Sequence, residues 1–130
     1  MELKKHIEYW IKSSNEDHDV IQLLIGSNKY LHAMFLCHLS IEKLVKAHWV
    51  KNNNNSVPPK IHNLVTLIKQ TQLSLTDDQL SFITILNDFQ IQGRYPDYKF
   101  KVNQYLTEDY STDLFNKYNE LRKCLINKIA

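Results

Sequence analysis

The segment YLHAMFLCHLSIEKLVKAHWV, residues 30–50, restricts the fold of this chain more than any other feature. Its apolar residues nearly surround a helix, which is typical of a helix enclosed by other helices. The pattern predicts a helix from about Asn28 to Lys51. A chain of 130 residues is long enough to bury one sizeable core, so we expect one domain with this helix at its centre.

The central helix also carries charged side chains. His38, Glu42 and Lys46 follow one another at intervals of four residues and therefore lie on one face, with Lys43 beside them. His38 and Glu42 could share a metal ion, but the pattern supplies no third ligand. A hydrogen-bonded pair is the favoured interpretation.

A second charge is predicted in the core by the first helix. Its inward stripe consists of Leu3, Ile7, Trp10, Ser14, Asp17, Ile21 and Leu24. A buried carboxylate without a cation is costly, so we expect Asp17 to be largely buried and to contact Arg94, Lys43 or Lys46. Its replacement by alanine should then cost about 3–5 kcal/mol.

The remaining segments complete a bundle. The predicted helices cover residues 2–25, 28–51, 61–71, 77–92 and 107–129. Thr76 and Gln79 form a capping box at the start of the fourth, and the polar KNNNNSVPPK, residues 51–60, predicts a flexible loop. A second, irregular loop is predicted at residues 93–106. The fold class is all-α: one domain over residues 1–130, an up-and-down antiparallel bundle of about five helices.

Composition excludes several classes of function. The 16 basic and 14 acidic residues nearly balance, which does not indicate a dedicated nucleic-acid binder. Cys37 and Cys124 lie in apolar helical patterns and are predicted to be buried thiols. No apolar run approaches the roughly 18 residues that a membrane span needs. The first residues, MELKKHIEYWIKSS, contain acids, unlike a signal peptide. We expect a cytoplasmic protein without a membrane segment.

Enzymatic motifs are not found. The HExxH, Walker A and GxGxxG patterns are absent, and EDHD at residues 16–19 places its side chains in different directions on a helix. Cys37 and His38 are adjacent on a helix and cannot meet as nucleophile and base. We therefore expect no catalytic residue, no metal and no cofactor.

The segment GRYPD, residues 93–97, interrupts the helical pattern. Gly93 is suited to end a helix, and Pro96 biases Tyr95 away from helical angles. In one interpretation Arg94 is simply exposed on a turn. In the other, Arg94 folds back toward the carboxylates of the first two helices.

Several segments, taken in order, resemble the HEPN domain, a small helical domain that prokaryotes often encode beside a minimal nucleotidyltransferase. They are Trp10 and Asp17 on the first helix, SIEKLVKAHW at residues 40–49, IHNL at 61–64 and GRYPD at 93–97. The resemblance implies a bundle that commonly dimerises and a cleft that gathers these polar residues. It favours an inward Arg94.

One departure from the family matters for activity. HEPN toxins that cut RNA carry an arginine followed, after four to six residues, by a histidine, whereas Lys99, Phe100 and Lys101 stand there after Arg94. His62 could supply an acid or base only if folding brought it to Arg94. The expected function is therefore binding, without catalysis, of a nucleotidyltransferase partner, a nucleotide-like ligand, or both.

The ligand-binding residues expected are Arg94, Tyr95, Lys46, Glu42, Asp17, Lys43, His62 and Asp97. Arg94 and Lys46 would face phosphate or carboxylate, and Tyr95 would stack. The alternatives are an RNase toxin of a toxin–antitoxin pair using Arg94 with His62, and a purely structural dimer. A homodimer is expected in addition, because the central helix has more apolar surface than a small bundle easily covers.

Overall fold

The computed structural model describes residues 2–92 and 106–129, and all regular structure in these ranges is α-helical. The helices are α1 (Leu3–Gly26), α2 (Tyr30–Asn53), α3 (Leu64–Lys69), α4 (Asp77–Gln92) and α5 (Glu108–Ile129). They form the all-α bundle that the sequence predicts. None of these helices is long and apolar enough to cross a membrane.

Helix α2 is the centre of the bundle and contacts each of the other four helices. Fourteen of its 24 residues are buried, including Met34, Ile41 and Val45 with no exposed surface. Because one chain already encloses α2, the apolar character of this helix does not by itself require a partner. That part of the argument for a homodimer is wrong, and the homodimer stays a prediction.

Side-chain caps fix two helix starts as predicted. Thr76 N donates to Gln79 Oε1 over 2.9 Å, and Gln79 N donates to Thr76 Oγ1 over 3.1 Å, which completes the capping box of α4. At α5, Tyr110 N donates to Thr107 Oγ1 over 3.2 Å. Both caps satisfy amide groups that have no partner inside the helix.

Asparagines determine other boundaries. Helix α1 ends at Gly26 as predicted, but the left-handed residue that closes it is Asn28, with φ of 60°. Asn54, with φ of 50°, ends α2. The loop predicted at residues 51–60 therefore begins late, since residues 51–53 are helical.

Helix α3 is shorter than the predicted 61–71, because Asn63 caps it by accepting from Thr66 N over 3.2 Å. Cys37 is buried as expected, whereas Cys124 is partly exposed. The irregular loop predicted at residues 93–106 lies, apart from residue 106, outside the described residues.

A buried polar network joins α1, α2 and α5. Ser14 Oγ donates to the carbonyl oxygen of Ser40 over 2.8 Å, and Ser40 Oγ lies 3.0 Å from the hydroxyl of Tyr118. His18 Nδ1 reaches the same hydroxyl at 3.0 Å. Tyr118 has no exposed surface, and burial raises the pKa of its hydroxyl, which keeps it a neutral hydrogen-bonding group.

His48 connects α2 to α5 in a similar way. Its Nε2 donates to the carbonyl oxygen of Leu125 over 2.8 Å, and the side chain is almost completely buried. Burial lowers the pKa of His48 from its ordinary 6.5, and the nearby Lys51 and Lys128 lower it further against the opposing Leu125 carbonyl. Burial also lowers the pKa of His38. Both imidazoles are therefore kept neutral by the fold.

Neutral buried histidines predict a loss of stability in mild acid. The pKa of each of these histidines is lower in the folded protein than in the unfolded chain. Its contribution to the free energy of unfolding is therefore fully present above about pH 6.5 and is lost as the pH falls toward the folded pKa. For each such histidine the slope reaches about 1.4 kcal/mol per pH unit. Urea unfolding at pH 7.5 and 5.5 should show that the free energy of unfolding decreases less at the lower pH in His48→Gln than in wild type. The glutamine keeps a donor for the carbonyl of Leu125.

The exposed His32 of α2 provides the control as His32→Gln. Equal decreases in wild type and His48→Gln would contradict the assignment of His48 as a neutral buried donor.

Candidate functional site

The candidate site is built around the carboxylate of Glu42, which is 3% exposed in the middle of α2. The ammonium group of Lys46, one turn further along α2, lies 3.0 Å from Glu42 Oε2. Lys46 is itself only 7% exposed. Two buried charges are stable together because each neutralises the other, and either one alone would be costly.

His62 contacts the same carboxylate from the connection that precedes α3. Its Nδ1 lies 3.1 Å from Glu42 Oε1 and 3.2 Å from Oε2. A carboxylate only accepts hydrogen bonds, so Nδ1 carries the hydrogen and Nε2 is left on the opposite side of the ring. The His62 side chain is 50% exposed, which makes it the part of the cluster that a ligand can reach.

Neighbouring hydrogen bonds hold the segment of His62 in place. Asn87 of α4 accepts from Leu64 N over 2.8 Å and donates to Asn63 Oδ1 over 3.2 Å. Asn63 also caps α3. Because these bonds flank His62 directly, the position of its imidazole is set by α3 and α4 as well as by Glu42.

His38 takes a different place from the one predicted. Its Nδ1 lies 3.9 Å from Glu42 Oε1, which is too long for a hydrogen bond, so the expected His38–Glu42 bond is wrong. His62 occupies that position on the carboxylate. His38 is 1% exposed, its Nε2 has no hydrogen-bond partner, and burial lowers its pKa against the opposing charge of Glu42.

The ring of Trp10 in α1 covers Lys46. Lys46 Nζ lies 5.5 Å from the centroid of the ring, within the range of a cation–π interaction. The ammonium group therefore lies between a carboxylate and an aromatic face. The sequence pattern placed Trp10 on the inward stripe but did not pair it with Lys46. The available signal was that Trp10 and Asp17, seven residues apart, share one face of α1.

Asp17 finds the cation that its position predicted. Its Oδ2 lies 2.8 Å from Lys43 Nζ, which makes Lys43 the partner among the three candidates. The contact is an ion pair without an aligned hydrogen bond on Oδ2. The two side chains are 16% and 18% exposed, so solvent screens the pair. We expect Asp17→Ala to cost less than the about 3–5 kcal/mol of a fully buried pair.

The structure thus brings Glu42, Lys46 and His62 into one cluster and joins Asp17 to Lys43 as a separate pair. Arg94, Tyr95 and Asp97 lie outside the described residues, so the predictions that concern them stay predictions. Over residues 2–92 and 106–129, no group of three histidine, cysteine or acidic side chains is arranged to hold a metal ion. At Glu42 the ammonium group of Lys46 already supplies the compensating positive charge.

A family model for the HEPN domain matches residues 7–129, nearly the whole chain. The chain belongs to the HEPN domain family. No curated protein and no solved structure matches it. Membership confirms the family that the sequence resembles.

In this HEPN domain the buried Glu42–Lys46 pair should contribute strongly to stability. We expect Glu42→Ala to lower the free energy of unfolding by about 3–5 kcal/mol, because Lys46 would stay buried without a counter-ion. Asp113→Ala breaks an exposed pair with Lys117, whose side chains are 57% and 54% exposed, and should cost less than about 1 kcal/mol. Urea unfolding of both variants measures the difference.

Removing both charges provides the second control. Because the cost arises from an unpaired charge, Glu42→Met combined with Lys46→Met should regain most of the stability lost in Glu42→Ala. Equal stabilities for Glu42→Ala and Asp113→Ala would refute the interpretation of Glu42 as a buried charge.

Proposed function

We propose that this HEPN domain is a non-catalytic binding protein for a nucleotide-like ligand, taken up at the Glu42 cluster together with Arg94. The observation that carries the proposal is His62, a half-exposed imidazole held through Nδ1 by a buried carboxylate. A side chain fixed in this way can bind a ligand with little further loss of conformational entropy. A histidine that served only to pack the core would be buried.

His62 offers chemistry that suits a nucleotide. With Nδ1 donating to Glu42, Nε2 of the neutral ring accepts from a hydroxyl or amine, and Nε2 of the protonated ring donates to a phosphate oxygen. Both partners occur on nucleotides.

The two lysines are assigned a supporting role. Lys46 is committed to Glu42 and Lys43 to Asp17, so their charges stabilise the site and are not available to phosphate. In this proposal the cation that binds the phosphate is Arg94, whose planar guanidinium can make paired hydrogen bonds. Tyr95 would stack on the base, and Asp97 would complete the loop.

The distribution of imidazoles favours binding over cleavage. Metal-independent RNA cleavage needs one group to remove a proton and another to supply one. Of the two histidines at the cluster, His62 is half-exposed, whereas His38 is 1% exposed and cannot reach a substrate. Arg94 makes a poor second proton-transfer group because it stays protonated near neutral pH.

A second candidate, an RNase toxin using Arg94 with His62, is favoured by one specific observation. The Glu42–His62 hydrogen bond resembles the arrangement in which a carboxylate orients a catalytic imidazole. Arg94 would then stabilise the developing charge on phosphate. The experiment below separates this candidate from the binding protein.

Calorimetric titration with AMP, ADP and ATP tests the proposal. We expect a dissociation constant in the micromolar to millimolar range and a loss of about tenfold or more in His62→Ala and Arg94→Ala, since each removes a polar contact. His32→Ala, on the exposed side of α2, should bind like wild type. The absence of heat in wild type would reject the binding proposal.

The same variants tested for degradation of RNA distinguish the second candidate. Robust cleavage by wild type that disappears in both His62→Ala and Arg94→Ala would establish the RNase instead.

We also propose that the domain forms a homodimer and acts with a nucleotidyltransferase partner, as the family resemblance implies. Helix α1 supplies apolar surface for the homodimer, because Tyr9, Val20 and Leu23 are 62%, 44% and 72% exposed. Sedimentation at micromolar concentration should show a dimer that Leu23→Glu weakens. Val57→Glu, equally exposed on the loop after α2, is the matched control. A single 15.4 kDa species in wild type would contradict the dimer.

A further inference from the structure

A cavity of about 320 Å³ lies where the C-terminal ends of α2 and α5 meet the segment between α3 and α4. It is lined chiefly by polar side chains: His48, Lys51, Asn52, Gln72, Ser74 and Lys128. None of the lining residues is acidic. The cavity shares no residue with the Glu42 cluster, so its chemistry is independent of that site.

Both lysines are held in place by carbonyl groups. Lys51 Nζ donates to the carbonyl oxygen of Ile129 over 2.9 Å, and Lys128 Nζ donates to that of Ser74 over 2.9 Å. Neither lysine forms an ion pair with a carboxylate of the described residues. An ammonium group has three donors, so each lysine keeps two for another acceptor.

The helix ends compensate only part of the positive charge of Lys51 and Lys128. The C-terminus of a helix carries about half a negative elementary charge, so α2 and α5 together supply about one. The two ammonium groups supply two positive charges. Among the groups of residues 2–92 and 106–129, the cavity therefore keeps an excess of about one positive charge, and this excess favours an anion.

His48 adds a directional group to the wall. Its Nε2 must carry the hydrogen because it donates to the carbonyl of Leu125. In the neutral ring Nδ1 is then an unprotonated acceptor, and no partner for it is seen in the described part of the chain. An oxyanion that keeps one O–H can donate to Nδ1 while its other oxygens accept from the lysines.

The opposite wall is fixed by a backbone contact. Asn52 Oδ1 accepts from Gln72 N over 2.8 Å, which ties the segment between α3 and α4 to the end of α2. Together with the Lys128–Ser74 contact, this bond sets the distance between the two walls. The cationic groups are thus placed before any ligand arrives, which reduces the entropy lost on binding.

We infer that this cavity is an anion site that takes a phosphate group, bound by Lys51 and Lys128 with His48 accepting from a phosphate hydroxyl. The site goes beyond the function proposed above, because the Glu42 cluster, Arg94 and a nucleotide play no part in it. The phosphate can be the free ion or the monoanionic terminal group of a phosphomonoester, since each carries an O–H for His48 and further oxygens for the lysines.

Titration of the ¹⁵N-labelled full chain with inorganic phosphate, followed by amide chemical shifts, tests the inference. We expect saturable shifts at Gln72 and its neighbours and a loss of affinity of about tenfold or more in Lys51→Gln and in Lys128→Gln. Lys117→Gln, on the same helix as Lys128 but paired with Asp113, should stay within about twofold of wild type. A parallel titration with glycerol phosphate shows whether a phosphomonoester also binds.

Two further measurements distinguish phosphate binding from structural effects of the substitutions. Lys128→Arg, which keeps the charge, should bind better than Lys128→Gln. The ring proton resonances of the neutral His48 imidazole should shift with phosphate present, because Nδ1 then accepts from a phosphate hydroxyl. If the two lysines only cap helix ends, Lys128→Arg and Lys128→Gln would not differ in phosphate binding. The ring proton resonances of His48 would then not respond to phosphate.

Two kinds of result would overturn the inference, and a third would separate it from the function proposed above. Shifts that do not saturate, or that weaken equally in Lys117→Gln, indicate an adventitious ion only. Saturable shifts confined to His62 and its neighbours place the phosphate at the Glu42 cluster and leave the function proposed there intact. Binding at Gln72 with no nucleotide binding would support this site while rejecting the other.

Discussion

The carboxylate of Glu42 is the constraint on which the arrangement of the candidate site depends. It is buried in the helix that each of the other four described helices contacts, so its charge has to be neutralised within the protein. Lys46 neutralises it from the same helix, and Trp10 then covers the ammonium group from α1. His62 takes the remaining hydrogen-bonding capacity of the carboxylate. The site is therefore a consequence of how one buried charge is satisfied.

Helix α1 is attached to the bundle by polar contacts as well as by apolar packing. Only Ser14 and Ile21 of its 24 residues are buried, and much of its predicted inward stripe is only half-buried. Hydrogen bonds from Ser14 and His18 lead to Tyr118, and Arg122 donates to Asn15 over 2.6 Å. Directional bonds fix the rotation of α1 on α2, which in turn sets where Trp10 and Asp17 point.

Much of the fold follows from local pattern. The apolar circumference of α2 and the capping box at Thr76 depend on residues close in sequence, and both are confirmed. The cation for Asp17 was also predictable, because a buried carboxylate requires one and few lysines could reach it. To choose Lys43 over Arg94 and Lys46, one has to know how α1 and α2 lie relative to each other. Periodicity does not provide this.

The contacts that the sequence pattern missed or predicted wrongly have a common physical origin. Periodicity gave no sign that Ser40 and His18 would share the hydroxyl of Tyr118, because these contacts join residues far apart in sequence. It paired His38 with Glu42 since both lie on one helical face, whereas the bond is made by His62 from another segment. A shared face brings side chains near each other without fixing which of them bonds.

Burial separates His38 and His48 from His62, and that separation bears on what the candidate site can do. His38 and His48 are enclosed, their pKa values are lowered by burial, and each is kept neutral. His62 is half-exposed, and its Nδ1 lies 3.1 Å from the carboxylate of Glu42. Enclosure prevents His38 from acting beside His62 as a second proton-transfer group at one substrate. His62 is thus the histidine of the Glu42 cluster that can present an oriented hydrogen-bonding group to a ligand.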